Sequence, residues 1–111
     1  MCSSQDLNFH SIKPCNAETP IEEIHENPIT PNELWYVRNH NPVPVINLDE
    51  YNLELFDGDK LSCNFSLEEL KNMKSKKVIT TIQCGGNRRG EFEKTSGTQW
   101  DIGAISTAEW E

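Results

Sequence analysis

The sequence predicts an α+β fold, built of mixed short strands and a few short capped helices. Three observations predict it. Lys77–Gln83 (KVITTIQ) is a β-branched run of strand length. Residues 45–56 alternate with Tyr51, Leu53 and Leu55 on one face, and run into an Asp57-Gly58 hairpin signal. Helix-start signals recur at Thr19-Pro20, Thr30-Pro31 and Ser66, each followed by a segment too short for a long helix.

In chain order, residues 1–18 are polar and read as an irregular, extended lead-in. Thr19-Pro20-Ile21-Glu22 combines an N-cap, a proline at the first helical position and a capping-box glutamate. The helix it opens should run to about Asn27, because the residue before Pro28 avoids helical geometry. Thr30-Pro31-Asn32-Glu33 repeats the signal and should open one helical turn. Trp35-Tyr36-Val37 then reads as extended and leads into Arg38-Asn39-His40. The two prolines of Asn41-Pro42-Val43-Pro44 confine it to a loop or an edge. After the strand at 45–56 and its turn, Lys60–Phe65 is the returning strand. Ser66-Leu67-Glu68-Glu69 is a capping box for a helix to about Met73. Strand 77–83 delivers Cys84-Gly85-Gly86-Asn87-Arg88-Arg89, residues 90–99 are a polar loop, and Trp100 to Trp110 is a mixed apolar segment. The strands at 45–56, 60–65 and 77–83 should pair in part. The apolar segment at the end has no closing element after it, which reads as a truncated domain of marginal stability alone.

Composition narrows the function. The chain has 111 residues, 35% of them hydrophobic, and a formal net charge of -8. That balance argues against general nucleic-acid or anionic-membrane binding, which need clustered Lys and Arg, and no apolar run is long enough to span a bilayer. A local arginine pocket for an anionic substrate stays compatible with it. Cys2, Cys15, Cys63 and Cys84 show no disulfide framework, and reduced thiols are the expectation. His10, His25 and His40 have no close-paired spacing with them that would suggest zinc.

Three segments carry candidate chemistry. A strand delivers Cys84 into a glycine-rich turn with Arg88 and Arg89 close behind. Glycines tolerate positive φ and let backbone N–H groups face an anion, while adjacent cations favour a thiolate, the form that binds metal or attacks. Spacing alone leaves open a buried structural cysteine, a nucleophile, or a metal ligand. Tyr36-Val37-Arg38-Asn39-His40, bounded by prolines, makes a multi-donor loop that taken alone is as readily a surface loop. Trp100 and Trp110 flank a small-residue stretch that by itself reads as core.

In this order the three resemble the sulfite oxidase family of molybdopterin enzymes. The family shows a loop like TPNELWYVRNH-x-PVP, then QC-[AG]-GNRR, then W-D-I-G-A-I-S-T-A-x-W. Thr30–His40, Gln83–Arg89 and Trp100–Trp110 match them closely, and Lys13–Glu18 resembles the family's KPFNAE with Cys15 in place of an aromatic. The resemblance implies that residues 19–111 are the N-terminal part of a sulfite-oxidase-type molybdopterin-binding domain. It implies Cys84 as the thiolate ligand to molybdenum in a Mo-molybdopterin cofactor. Arg38, Arg89 and Trp100 would form the sulfite pocket, and Tyr36, Val37, Arg38, Asn39 and His40 would contact the pterin. It further implies oxidation of sulfite to sulfate, with cytochrome c or oxygen as electron acceptor, a homodimer, and the mitochondrial intermembrane space. Haem b would belong only to a separate domain, whose His-Pro-Gly-Gly loop is missing here. Nitrate reductases share the cysteine loop but tend to N-W-G-A where this chain has Trp100-Asp101-Ile102-Gly103. A non-catalytic relic is the other alternative, and the isolated chain is expected to be inactive. The loop from Arg89 to Trp100 is shorter than the family's usual form, with Thr95-Ser96-Gly97 where a basic residue is expected.

Overall fold

A computed structural model describes residues 6–111. The chain divides into two compact units, Met1–Val43 with Lys77–Glu111, and Pro44–Lys76. Short strands dominate and the helices are few and short.

The first unit opens with a hairpin, where irregular backbone is expected from the sequence. Strands β1 (Asn8–Ile12) and β2 (Cys15–Glu18) pair antiparallel, Asn8 opposite Glu18 and Ile12 opposite Cys15, with a bulge between Phe9 and Ser11. Residues 1–5 of the expected lead-in lie outside the described residues. The hairpin escapes the sequence reading because its buried side is polar. Asn16 and Glu18 are buried with Ala17, so no apolar alternation marks the strand. Val37 then bridges Ala17, each N–H donating to the other's carbonyl at 2.8–3.0 Å.

Helix α1 (Ile21–Glu26) forms close to its expected span, but its capping box does not. Thr19 Oγ1 donates instead to the Leu34 carbonyl at 2.6 Å, in a buried contact. Thr30 is diverted in the same way. A single 3-10 turn forms over Asn32–Leu34. Thr30 N–H donates to the Thr107 carbonyl at 2.8 Å, and its hydroxyl accepts from Thr107 N at 3.1 Å. Both threonines thus tie distant segments together, a use that competes with local capping.

Strand β5 (Val78–Gln83) pairs with β6 (Ile105–Trp110) along its whole length, Val78 opposite Trp110 and Gln83 opposite Ile105. Of the three strands expected to pair in part, 45–56 pairs over its later half with 60–65, while 77–83 takes this later segment as its partner. The segment between β5 and β6 has one 3-10 turn, Arg89–Glu91, and is otherwise without helix or strand. The apolar cluster of this unit is Tyr36, Trp100 and Ala104, with Trp35 and Cys84 packed against it. Around it lie buried polar groups with partners. Asn16 accepts from Asn39 N at 2.9 Å, and Ser106 Oγ accepts from Tyr36 N at 3.3 Å. Satisfied in this way, such groups fix register as well as mass.

The second unit is a hairpin and a helix. Strands β3 (Asn52–Asp57) and β4 (Lys60–Ser66) pair across Gly58, whose φ of 60° suits the first position of a two-residue hairpin loop. The expected strand is too long at its start. Leu48–Glu50 is a 3-10 turn, capped by Asn47, whose Oδ1 accepts from Asp49 N at 3.2 Å. Helix α2 (Leu67–Lys71) has the full capping box read from Ser66-x-x-Glu69.

One cysteine expectation fails. Cys15 is disulfide-bonded, while Cys63 and Cys84 are free thiols and Cys2 lies outside the described residues. Among the described residues no three His, Cys, Asp or Glu converge as a metal cage, and no helix is long and apolar enough to cross a membrane.

Candidate functional site

Cys84 sits directly after β5, at the point where the β5–β6 ladder is extended by one more bond, Cys84 N–H to the Ala104 carbonyl at 2.9 Å. A tight turn follows, with Asn87 N donating to the Cys84 carbonyl at 2.9 Å and Arg89 N to the Gly86 carbonyl at 3.0 Å. Asn87 Oδ1 in turn accepts from Ala104 N at 3.0 Å. The thiol is half-buried and accepts a weak bond from Gly86 N–H, 3.4 Å from Sγ.

The two glycines of this turn act differently from expectation. The left-handed residue is Arg88, with φ of 65°, and neither Gly85 nor Gly86 has positive φ. Gly86 leaves room for the flexible end of the Arg89 side chain. A Cβ there would lie 2.6 Å from an Arg89 guanidinium nitrogen, whereas one on Gly85 would meet nothing within 4 Å.

The two arginines also separate. Arg88 turns away and pairs with Glu91, its Nε and Nη2 donating to the carboxylate at 2.6–2.7 Å. The pair holds the Glu91 carboxyl below its ordinary range, chiefly by hydrogen bonding. Arg88 therefore does not serve Cys84 as a neighbouring cation. Arg89 lies over Gly86 and beside Gly97, where a Cβ would be 3.0 Å from its Nη1, and it donates to the Thr98 carbonyl at 3.0 Å. One of its five N–H donors is spent there.

Two backbone bonds clamp this loop onto the segment that follows. Arg88 N donates to the Asp101 carbonyl at 2.6 Å, and Gly90 N to the Trp100 carbonyl at 2.9 Å. Trp100 is fully buried, and its Nε1 has no acceptor among the described residues. Its ring meets His10 edge-to-face at 5.0 Å.

Of the expected pterin-contact residues, Tyr36 joins the cluster with Cys84 and Trp100. Burial pushes its hydroxyl above the ordinary phenol range, and the negative charge of a Cys84 thiolate adds to the effect. Val37 and Asn39 instead fasten the loop to the β1–β2 hairpin. Asn39 Nδ2 donates to the Cys15 carbonyl at 2.8 Å, beside its backbone bond to Asn16. Arg38 and His40 are exposed. The fold thus gathers Tyr36, Cys84 and Trp100, holds Arg89 beside the thiol's own turn, and leaves Arg38 and His40 outside the cluster. Glu18, His10, Asn87 and Asp101 were not singled out from sequence as site residues. Three of them lay within the family-like motifs, Glu18 at the end of the KPFNAE-like stretch, Asn87 in the cysteine loop and Asp101 after Trp100, while His10 carried no signal.

Cys84 thus sits on a loop clamped by backbone bonds and backed by Tyr36 and Trp100, with Arg89 held on the same loop. The chain belongs to the oxidoreductase molybdopterin-binding domain family, whose profile matches residues 40–111. It is 46% identical to the mitochondrial sulfite oxidase of Drosophila melanogaster over 96% of this chain and 20% of that protein. With sulfite oxidase of Gallus gallus it shares 44% identity over 94% of this chain and 24% of that protein. A nitrate reductase of Nicotiana tabacum is 37% identical over 95% of this chain and 13% of its own length. The chain spans about a quarter or less of the length of these relatives.

Proposed function

We propose that this chain is part of a sulfite-oxidising molybdenum enzyme, within a partial α+β molybdopterin-binding domain, and that Cys84 is its ligand to the metal. The observation that carries the reading is the convergence on a free, half-buried Cys84 thiol of Tyr36 and Trp100, from two segments distant in sequence. Its donor chemistry fits the cofactor. A thiolate is soft and matches a metal already held by the sulfurs of a pterin. The buried Trp100 Nε1, with no acceptor among the described residues, fits a polar ligand atom.

When bound, the cofactor supplies the two-electron oxygen-atom transfer that converts sulfite to sulfate. The residues do the rest. Cys84 orients the centre through a sulfur whose direction is set by the Gly86 N–H. Arg89, held over Gly86, would bind the sulfite oxyanion with its remaining donors, and exposed Arg38 would supply a second cation. Trp100 would back the pocket, and the Tyr36–His40 segment, fastened to the β1–β2 hairpin through Val37 and Asn39, would hold the pterin. Electrons would pass to cytochrome c or oxygen, and the working protein would be a homodimer of the mitochondrial intermembrane space. The name of the Drosophila relative supports a mitochondrial location.

The test is molybdenum content together with turnover. In a longer protein that contains this segment and is loaded with the cofactor, Cys84→Ser is expected to lose nearly all sulfite turnover while keeping most pterin, and the 111-residue chain alone is expected to be inactive. Normal turnover in Cys84→Ser, paired with its loss in Cys63→Ser, would overturn the assignment. Nitrate reduction without sulfite oxidation would favour the alternative that the tobacco relative represents.

A further inference from the structure

We propose that Glu18 is a positioning residue for the Cys84 loop, acting through the backbone of Asp101. Its carboxylate is buried, with 2% exposure, at the end of β2. One oxygen, Oε2, accepts from Asp101 N at 3.0 Å and lies 3.2 Å from His10 Nε2. Asp101 and Trp100 present the two carbonyls that clamp the loop, to Arg88 N at 2.6 Å and to Gly90 N at 2.9 Å. Between these two amides lies Arg89, the guanidinium held over Gly86. A single carboxylate therefore sets where residues 100–101 sit, and residues 100–101 set where the loop carrying Cys84 and Arg89 sits.

His10 completes the arrangement from β1. Its ring abuts Trp100, and its Nε2 faces the same oxygen that Asp101 uses. Hairpin β1–β2 thus works as a brace behind the site. It brings a charged acceptor into the interior, where bonds to an ionised group are stronger than neutral ones. The inference deepens the proposed function, since it assigns Glu18 to the same thiolate site, but its readouts do not need the cofactor.

The test is amide hydrogen exchange of the whole chain, with the alkylation rate of Cys84 read against that of exposed Cys63. In Glu18→Ala, exchange at Arg88 and Gly90 is expected to rise about tenfold or more, the scale of one lost charge-assisted bond. The Cys84/Cys63 alkylation ratio should change, while exchange in the β3–β4 hairpin stays as it was. Glu18→Gln, which keeps a neutral acceptor for Asp101 N, should restore part of the protection. Glu18→Asp keeps the charge but withdraws it by one methylene, and should show the same local loss if the alanine variant does not fold. Unchanged protection at Arg88 and Gly90 in Glu18→Asp or Glu18→Ala would overturn the proposal, as would Glu18→Gln behaving like Glu18→Ala. If the protein took up no molybdenum yet gave the expected exchange pattern, the proposed function would fall and the positioning role would stand.

Discussion

Gly103→Ala is the sharpest stability test of this architecture. Gly103 is buried where the Trp100–Gly103 segment crosses the start of the Thr19 turn, and Thr19 N donates to its carbonyl at 3.1 Å. A Cβ on Gly103 would run directly into the Thr19 carbonyl oxygen and press on Glu18 Cβ at 3.1 Å. The obstacle is backbone, so no rotamer change relieves it. Overpacking of this kind costs about 1–3 kcal/mol. Relief by separation also weakens the Thr19–Gly103 bond and the buried Thr19 Oγ1–Leu34 bond, each worth about 1 kcal/mol net. The expected loss is about 3 kcal/mol, a large share of the roughly 5–15 kcal/mol that a small domain holds. Urea unfolding followed by tryptophan fluorescence reads it, because Trp35, Trp100 and Trp110 all belong to the unit concerned. Gly85→Ala is the control, expected within about 0.5 kcal/mol of the parent because open space surrounds it. A Gly103→Ala cost no larger than the control's would refute the close approach of the two segments.

Other outcomes follow from the same geometry. If the proposed function holds, Arg38→Gln and Arg89→Gln in a longer cofactor-loaded protein that contains this segment should raise the KM for sulfite strongly with a smaller effect on kcat; steady-state kinetics checks the split. Gly86→Ala should reproduce part of the Arg89→Gln defect by displacing the guanidinium, whereas Gly85→Ala should not. Ser66→Ala should remove the α2 cap at a cost of about 1 kcal/mol, seen as faster exchange of the Glu69 amide. Glu69 is held below its ordinary value by its bonds to Ser66, so the cap's contribution is present above that ordinary value and is lost as pH falls through the folded one. Tyr36 has the opposite sign. Its folded value lies above the ordinary 10.0, so the unfolded chain releases that proton first. Stability should therefore decline as pH rises through that range, and phenolate absorbance should show Tyr36 ionising late.

The sequence by itself determined the elements whose information is local. The β5 strand is written in KVITTIQ, the β3–β4 turn in Asp57-Gly58, and the α2 cap in Ser66 and Glu69, because propensity and short-range bonds suffice to specify them. The order of the three motifs likewise pointed to the family to which the chain belongs. Tertiary structure decided what depends on distant partners. Thr19 and Thr30 look like caps in isolation, but their hydroxyls are taken by Leu34 and Thr107. The β1–β2 hairpin carries no apolar alternation because its buried face is Asn16 and Glu18, satisfied by residues from other segments. Arg88 and Arg89 are adjacent and chemically alike in the sequence. A left-handed turn at Arg88, and the space over Gly86, send one to Glu91 and keep the other beside the turn that carries Cys84. Backbone direction at a single residue makes that difference, and residue type alone does not encode it.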